Sequence, residues 1–252
     1  MRVPISPVLA VTAAIACLAA AIFFFAPARS DGARQPVLVE LFTSQGCYSC
    51  PPADRLLGRL ADEADVVALG YHVTYWDRLG WLDPFATEWG TSRQYAYGRA
   101  IGQGRVYTPQ MVIGGQVHEV GSDERRVRAA IAAAAREPRP ATPSLRWLAP
   151  NRIAIDLPAA ADAAGAGIWL ARFDRQRETE ILRGENGGKR LAYHQVARER
   201  LALGRFDGRA QTLEAEVMPG DGGNWGVAVI VQQPGPGRVW GAALLNAPDP
   251  DA

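Results

Sequence analysis

The stretch Gly46-Cys47-Tyr48-Ser49-Cys50-Pro51-Pro52 stands between a strand-like run, Val37 to Phe42, and a helix-like run, Ala53 to Leu60. Two thiols that are two residues apart can close a small disulfide ring or bind a metal ion. Between a strand and a helix this spacing is typical of a thiol redox site, because the positive helix N-terminus stabilises a thiolate. We therefore expect Cys47 to be the exposed nucleophile and Cys50, further into the turn, to be the resolving thiol.

Length and charge limit the classes of protein that the chain can belong to. It has 252 residues, with 27 Lys and Arg against 26 Asp and Glu, for a net charge of +1. This balance predicts no nucleic-acid partner, and the length indicates two domains. No Gly-rich loop follows a strand and opens a helix, so no phosphate-bearing cofactor is expected. We predict no cofactor and no resident metal.

Residues 1–35 have the features of a signal peptide or membrane anchor followed by a linker. Arg2 gives a positive start, Val8 to Phe25 is apolar, and Ala26-Pro27-Ala28 offers small residues for cleavage. The apolar run is long for a signal peptide, so an uncleaved anchor remains open. The sequence thus predicts export, to the periplasm, outside the cell or on the inner membrane, where an oxidising environment favours a disulfide between Cys47 and Cys50.

The first predicted domain, residues 36–137, has the order β-α-β, an aromatic-rich helical insert, a β-hairpin and a final helix. Its first strand is apolar except for Glu40, which either reaches water at a strand edge or is a buried proton acceptor beneath the cysteines. His72 is expected to be a hydrogen-bonded structural residue. The final helix should begin at Ser122, a good N-cap.

The second predicted domain, residues 144–247, follows a Pro-rich linker at 138–143. Its sequence pattern is a series of short apolar strands separated by Gly, Pro and Asn, which indicates a β-sandwich or small barrel. It contains no arrangement of a nucleophile and a base, and Asn186 to Lys189 is predicted to be a turn.

Several motifs resemble those of a bacterial family. They lie around Cys47 and at Tyr71-His72-Val73, Tyr75-Trp76-Asp77, Leu79-Gly80-Trp81, Asp83-Pro84-Phe85, Tyr107-Thr108-Pro109-Gln110 and Arg183-Gly184-Glu185-Asn186. They are similar to an exported thioredoxin-like family known as domain of unknown function 1223. The resemblance implies a thioredoxin-like α/β domain with a cis peptide bond before Pro109, close to the cysteines. It implies a redox role only by analogy of fold.

The leading hypothesis is a thiol–disulfide oxidoreductase of the cell envelope that acts on a protein thiol or disulfide client. Cys47, Cys50, Pro109 and Glu40 are its predicted catalytic residues, and the residues expected to contact the client are Tyr48, Trp76, Tyr107 and Thr108. Two alternatives remain open. One is a secreted binding or scaffold protein with a structural disulfide, and the other is a copper- or zinc-binding protein with His72 or His118 as a further ligand.

Overall fold

The computed structural model of the protein describes residues 35–101 and 104–248, which belong to one compact unit. The helices and strands in chain order are β1 (Val37–Thr43), α1 (Pro51–Ala61), β2 (Val66–His72), a 3₁₀ helix (Thr74–Leu79), α2 (Glu88–Ala100), β3 (Gln110–Ile113), β4 (Val117–Val120), α3 (Glu124–Ala134), β5 (Ser144–Ala149), β6 (Arg152–Leu157), a second 3₁₀ helix (Ala161–Ala163), β7 (Gly167–Ile181), β8 (Lys189–Arg205), β9 (Gln211–Glu216), β10 (Trp225–Gln232) and β11 (Val239–Asn246).

A mixed α/β architecture is built on one large sheet. Its eight strands lie in the order β11-β10-β7-β8-β2-β1-β3-β4. The neighbouring interior strands β1 and β2 are parallel and joined by α1, as the strand–helix–strand pattern predicts. Every residue of these two strands is buried, because helices or sheet cover both of their faces.

Alternate residues of β1 face two different layers. Val39 and Leu41 pack with the apolar stripe of α1 and with α3, where Val127 and Ile131 are buried. Leu38 and Phe42 face the opposite side, in the core beneath α2. The aromatic insert between β2 and β3 therefore forms a helical layer on the face opposite α1.

The residues before and after the linker, assigned to two domains by their sequence, contribute to the same large sheet. β8 joins β2 in parallel through the pair Gly70 and Val196, and β7, β10 and β11 extend the sheet beyond it. A separate sheet of β5, β6 and β9 packs against Leu170 and Val229 of the large sheet. Two sheets thus face each other in the C-terminal half, as in a sandwich.

The helix starts differ slightly from those predicted. α1 begins at Pro51, two residues before the predicted helical run from Ala53, and its N-cap is Cys50. Asp123, not Ser122, caps α3 by accepting a hydrogen bond from the amide of Arg126 at 3.1 Å. The apolar segment from Val8 to Phe25 lies outside the described residues. None of the helices within 35–101 and 104–248 is both long and apolar enough to cross a membrane.

Candidate functional site

Cys47 and Cys50 form a disulfide at the N-terminus of α1, with their Cα atoms 5.4 Å apart. The carbonyl of Cys50 accepts hydrogen bonds from the amides of Ala53 and Asp54, at 2.8 and 3.1 Å. Both cysteines are fully buried, whereas Tyr48 between them is 68% exposed. The prediction that Cys47 is exposed is therefore wrong, because the surrounding loops cover the disulfide and leave only the intervening side chains in solvent.

The tip of the β7–β8 hairpin, residues 183–189, holds the cysteine loop. The side-chain amide of Asn186 donates to the carbonyls of Gln45 and Cys47, each at 2.9 Å. The carboxylate of Glu185 accepts the amide N–H of Tyr48 at 3.0 Å, and the ammonium of Lys189 lies 4.7 Å from the centre of the Tyr48 ring. The predicted turn is thus part of the site, which the turn pattern alone did not reveal.

A buried acid and a histidine brace the loop before the disulfide. Asp83 Oδ2 lies 2.6 Å from His72 Nδ1 and accepts the amide N–H of Gln45 at 2.8 Å. Burial alone would raise the pKa of Asp83. The charge and hydrogen bond of His72, together with the amide hydrogen bonds of Gln45 and Phe85, outweigh that effect and hold the pKa below its ordinary value. The indole of Trp81 donates to the side-chain oxygen of Gln45 at 2.8 Å. The prediction of a hydrogen-bonded structural His72 is confirmed.

Asp54 is the titratable group that sequence reasoning missed. It lies one helical turn after Cys50, and side chains four residues apart share one face of a helix. It is only 4% exposed, and its Oδ2 has no hydrogen-bond partner among the described residues. Burial raises its pKa to about 7, against a smaller lowering by His72. The sequence did indicate the burial of Asp54, because Asp54 precedes Leu57 by three residues and so lies on the apolar face of α1.

Of the two environments predicted for Glu40, the buried one is found. It is fully buried, and its carboxylate accepts two hydrogen bonds from Arg93, at 2.6 and 2.9 Å, and a third from the hydroxyl of Tyr97. The guanidinium of Arg93 also lies 4.2 Å from the centre of the Trp169 ring. Because Glu40 shares a face of β1 with Leu38 and Phe42, it points away from α1. The prediction that Glu40 reaches water at a strand edge is therefore wrong, and its pairing with Arg93 does not favour a role as proton acceptor for the cysteines.

The peptide bond between Thr108 and Pro109 is cis, as predicted. The Thr108 hydroxyl accepts a hydrogen bond from the indole of Trp76 at 2.8 Å. A Cβ placed on Gly46 would lie 3.4 Å from the Cβ of Trp76, so this tryptophan also packs beside the cysteine loop. Trp76 of the first 3₁₀ helix thus lies beside both the cysteine loop and the segment of Thr108 and Pro109. Tyr107 points instead to His118, with 2.8 Å between its hydroxyl and Nδ1.

The histidines proposed as metal ligands have other partners. His72 is bonded to Asp83, His118 to Tyr107, and both thiols are in the disulfide. Across residues 35–101 and 104–248, no three His, Cys, Asp or Glu side chains converge as a metal site.

Comparison with known proteins identifies the family. A family described as "Protein of unknown function (DUF1223)" matches residues 38–232. The chain belongs to this family. The match includes the disulfide, Asp54, Pro109 and the hairpin tip, so all parts of the site lie within the DUF1223 region. The membership of DUF1223 that the motifs predicted is confirmed, and the description of the family carries no activity.

Two solved structures resemble this DUF1223 protein. One is the X-ray crystal structure of a protein from Agrobacterium tumefaciens, with 34% identity, a TM-score of 0.73, and coverage of 85% of this chain and 96% of that one. The other is HBP35 of Porphyromonas gingivalis, with 14% identity, a TM-score of 0.62, and coverage of 88% and 78%. The second likeness concerns the fold alone. No curated protein matches the chain.

Proposed function

We propose that this DUF1223 protein is a thioredoxin-like thiol–disulfide oxidoreductase of the cell envelope. One observation carries the proposal: the Cys47–Cys50 disulfide caps α1, and Asp54, a buried acid with an unpartnered oxygen, lies one turn away. A disulfide that only stabilised the fold would undergo no proton transfer and would not need a buried acid beside it. A group whose pKa is near 7 can give and take protons at physiological pH.

The thioredoxin-like assignment is supported by the order of elements around the disulfide. β1, α1 and β2 form a parallel β-α-β unit with the cysteines at the start of its helix. The antiparallel strands β3 and β4 continue the same sheet, and the cis peptide bond at Pro109 immediately precedes β3.

The reaction is a pair of thiol–disulfide exchanges. A client thiolate attacks Sγ of Cys47, the S–S bond breaks, and the electron pair leaves on Cys50. The second thiol of the client, once deprotonated, attacks the client sulfur of the mixed disulfide and releases Cys47. The client dithiol is thereby oxidised to a disulfide, and the cysteine pair gains two electrons and two protons. The same steps in reverse reduce a client disulfide.

Asp54 is the proposed proton carrier for Cys50. In the oxidising direction its carboxylic acid protonates the departing Cys50 thiolate. In the reducing direction its carboxylate takes the proton from the Cys50 thiol before that sulfur attacks the mixed disulfide. A cavity of about 170 Å³, lined by Asp54 together with Pro51 and His194, offers a route for protons to solvent. Asp54 thus takes the role that the sequence suggested for Glu40.

Access to the disulfide requires movement, since both cysteines are fully buried. Tyr48 is the most exposed large side chain of the loop, and the hairpin tip binds it through Glu185 and Lys189. A client that contacts Tyr48 and Trp76 would displace the hairpin tip and expose Cys47. The backbone near Thr108 and Pro109 would then lie beside the bound client.

Substitution of each cysteine tests the proposal. The assay follows oxidation of a reduced dithiol peptide, with oxidised glutathione as the terminal oxidant. Cys47→Ser should abolish turnover. In the reducing direction, Cys50→Ser incubated with the oxidised peptide should accumulate a mixed disulfide through Cys47, detectable by mass spectrometry, because Cys50 is no longer present to resolve it. Ser144→Ala, which changes an exposed serine of β5 in the separate three-stranded sheet, is the control and should retain turnover. Unchanged turnover in Cys47→Ser would refute the proposal.

A scaffold protein with a structural disulfide is the second candidate, and the complete burial of both cysteines favours it. A bridge over two residues closes a very small loop, however, so its entropic stabilisation of the fold is slight. The two candidates differ in the free energy of unfolding. If the disulfide is a structural bridge, replacing Cys47 and Cys50 by Ala should greatly lower the free energy of unfolding. If the protein is an oxidoreductase, the same replacement should change it little.

Export is a further part of the proposal, based on the apolar segment from Val8 to Phe25. Fusion of alkaline phosphatase after residue 35 should give phosphatase activity in intact bacteria. A fusion that lacks residues 1–30 should not, and equal activity of the two would exclude the segment as an export signal.

A further inference from the structure

A cavity of about 390 Å³ lies between α2, strands β7 and β8, and the loop that follows β10. Trp89, Ala96, Pro234 and Pro236 make much of its wall apolar, and no residue of the cysteine loop or the hairpin tip lines it. Its volume is in the range of pockets that hold small molecules. The cavity is thus a candidate binding site separate from the disulfide.

Two arginines in the wall of the cavity, Arg93 of α2 and Arg200 of β8, share one aromatic ring. Their Cζ atoms lie 4.2 and 5.0 Å from the centre of the Trp169 ring. Contact with the same ring makes the two guanidinium groups neighbours, and both line the same cavity. One small ligand in the cavity can therefore reach both of them.

Only one of these two positive charges is compensated. Arg93 is paired with Glu40 through two hydrogen bonds, whereas the guanidinium of the exposed Arg200 forms no ion pair or hydrogen bond with any residue in 35–101 or 104–248. Desolvation, followed by the positive charge of Arg93, lowers the pKa of Arg200, and the opposing effect of Glu40 is smaller. No Asp or Glu among the described residues lines the cavity. The lining therefore carries one uncompensated positive charge, which matches a single anionic group.

Arg93 offers a free donor although it is only 6% exposed. Its Nε and Nη2 atoms donate to Glu40, Tyr97 and Gln232. Its Nη1 has no hydrogen-bond partner among the described residues, yet it is not one of the unpartnered atoms that are sealed from solvent. Because Arg93 lines the cavity, Nη1 is the part of its guanidinium that is left to face a ligand. An acceptor at this point would satisfy it.

We infer that this cavity binds a small hydrophobic monocarboxylate. The carboxylate would pair with the guanidinium of Arg200 and accept a hydrogen bond from Nη1 of Arg93. The apolar body would pack against the half-buried Trp89 and against Pro234 and Pro236. One carboxylate is favoured because only Arg200 lacks a counter-ion. The inference does not depend on the proposed redox activity.

Phenylacetate is the probe, because it joins one carboxylate to one apolar ring. Phenylacetamide has nearly the same shape without the charge, and acetate has the charge without the ring. Isothermal titration of the full chain should show that phenylacetate binds more tightly than either. Arg200→Gln should raise the dissociation constant for phenylacetate about tenfold or more. Arg125→Gln, which removes the same charge from an exposed position on α3 outside the cavity, is the matched control and should bind as the wild type does.

A second measurement keeps the inference testable if Arg200→Gln does not fold. In the wild-type protein, phenylacetate should shift the indole N–H resonances of Trp89 and Trp169, which line the cavity, but not that of Trp147 in the separate three-stranded sheet. The inference is overturned if phenylacetate does not bind at millimolar concentration, if phenylacetamide or acetate binds as tightly, or if the shifts lie elsewhere. It is also overturned if Arg125→Gln and Arg200→Gln bind phenylacetate alike.

Discussion

Replacing Asp54 by Asn should stabilise the protein at alkaline pH, and this follows directly from the burial of the carboxyl group. Asn has nearly the same shape but no charge. The native protein must bury the carboxylate at high pH, whereas the unfolded chain exposes it to water. The substitution therefore removes a cost that exists only when Asp54 is ionised.

The pKa of Asp54 sets both the size and the pH window of the effect. Its value of about 7 in the folded protein compares with an ordinary 3.8. A difference of about three pKa units, at about 1.4 kcal/mol each, gives roughly 4 kcal/mol. Between these two values the native state holds a proton that the unfolded chain has lost, so wild-type stability falls as pH rises through the window. The stability difference between Asp54→Asn and the wild type should be near zero at about pH 4 and reach about 4 kcal/mol at about pH 8.

Urea unfolding of both oxidised proteins at about pH 4, 6 and 8 measures this difference. Asp62→Asn, an exposed carboxyl at the end of the same helix, is the control and should show no such rise. A difference between Asp54→Asn and the wild type that does not change with pH, or a less stable variant at pH 8, would refute the reasoning. The same variant should lower the turnover of a dithiol client by about 100-fold at neutral pH, the usual worth of general acid–base catalysis.

Three further predictions concern the surroundings of the disulfide. Asn186→Ala leaves two carbonyl groups without their donor, so it should cost about 1–3 kcal/mol in urea unfolding and speed reduction of the disulfide by a phosphine; an unchanged reduction rate would show that the hairpin tip does not control access. Arg93→Met leaves Glu40 buried without its counter-ion and should lower the free energy of unfolding by about 3–5 kcal/mol. Adding Glu40→Gln in a double variant should restore much of that loss. An equal loss in the single and double variants would contradict a charge effect. Asp83→Asn removes a carboxylate whose pKa is held low by His72 and the neighbouring amides. As pH falls through the acidic range, the free energy of unfolding should therefore fall less in the variant than in the wild type. Identical acid profiles in urea unfolding would exclude a stabilising ionised Asp83.

Local sequence patterns predicted much of the region around the disulfide. The apolar run of β1, the prolines that open α1, and the Gly114-Gly115 turn between β3 and β4 each act over a few residues. The cis bond at Pro109 followed from the family resemblance. In the C-terminal half, the predicted short apolar strands include β6 and β10, because a strand in a packed sheet leaves a local apolar signal.

Contacts between distant parts of the chain left no comparable signal. Asn186 and Cys47 are 139 residues apart, and Glu40 and Arg93 are 53 apart. Strand periodicity specifies which face of a strand is buried but not which strand lies beside it, so the pairing of β8 with β2 was not predictable. Burial of Cys47 depends on the same long-range packing, which explains why its exposure was predicted wrongly.

The midpoint potential of the Cys47–Cys50 pair tests the central claim most directly. The protein is equilibrated with defined ratios of reduced and oxidised glutathione, and the thiols are trapped and counted by mass spectrometry. An oxidoreductase requires a potential between about −270 and −120 mV, where known thiol redox proteins lie. A potential below about −300 mV would mean a structural bridge that the glutathione pool does not reduce, and it would contradict the proposed function.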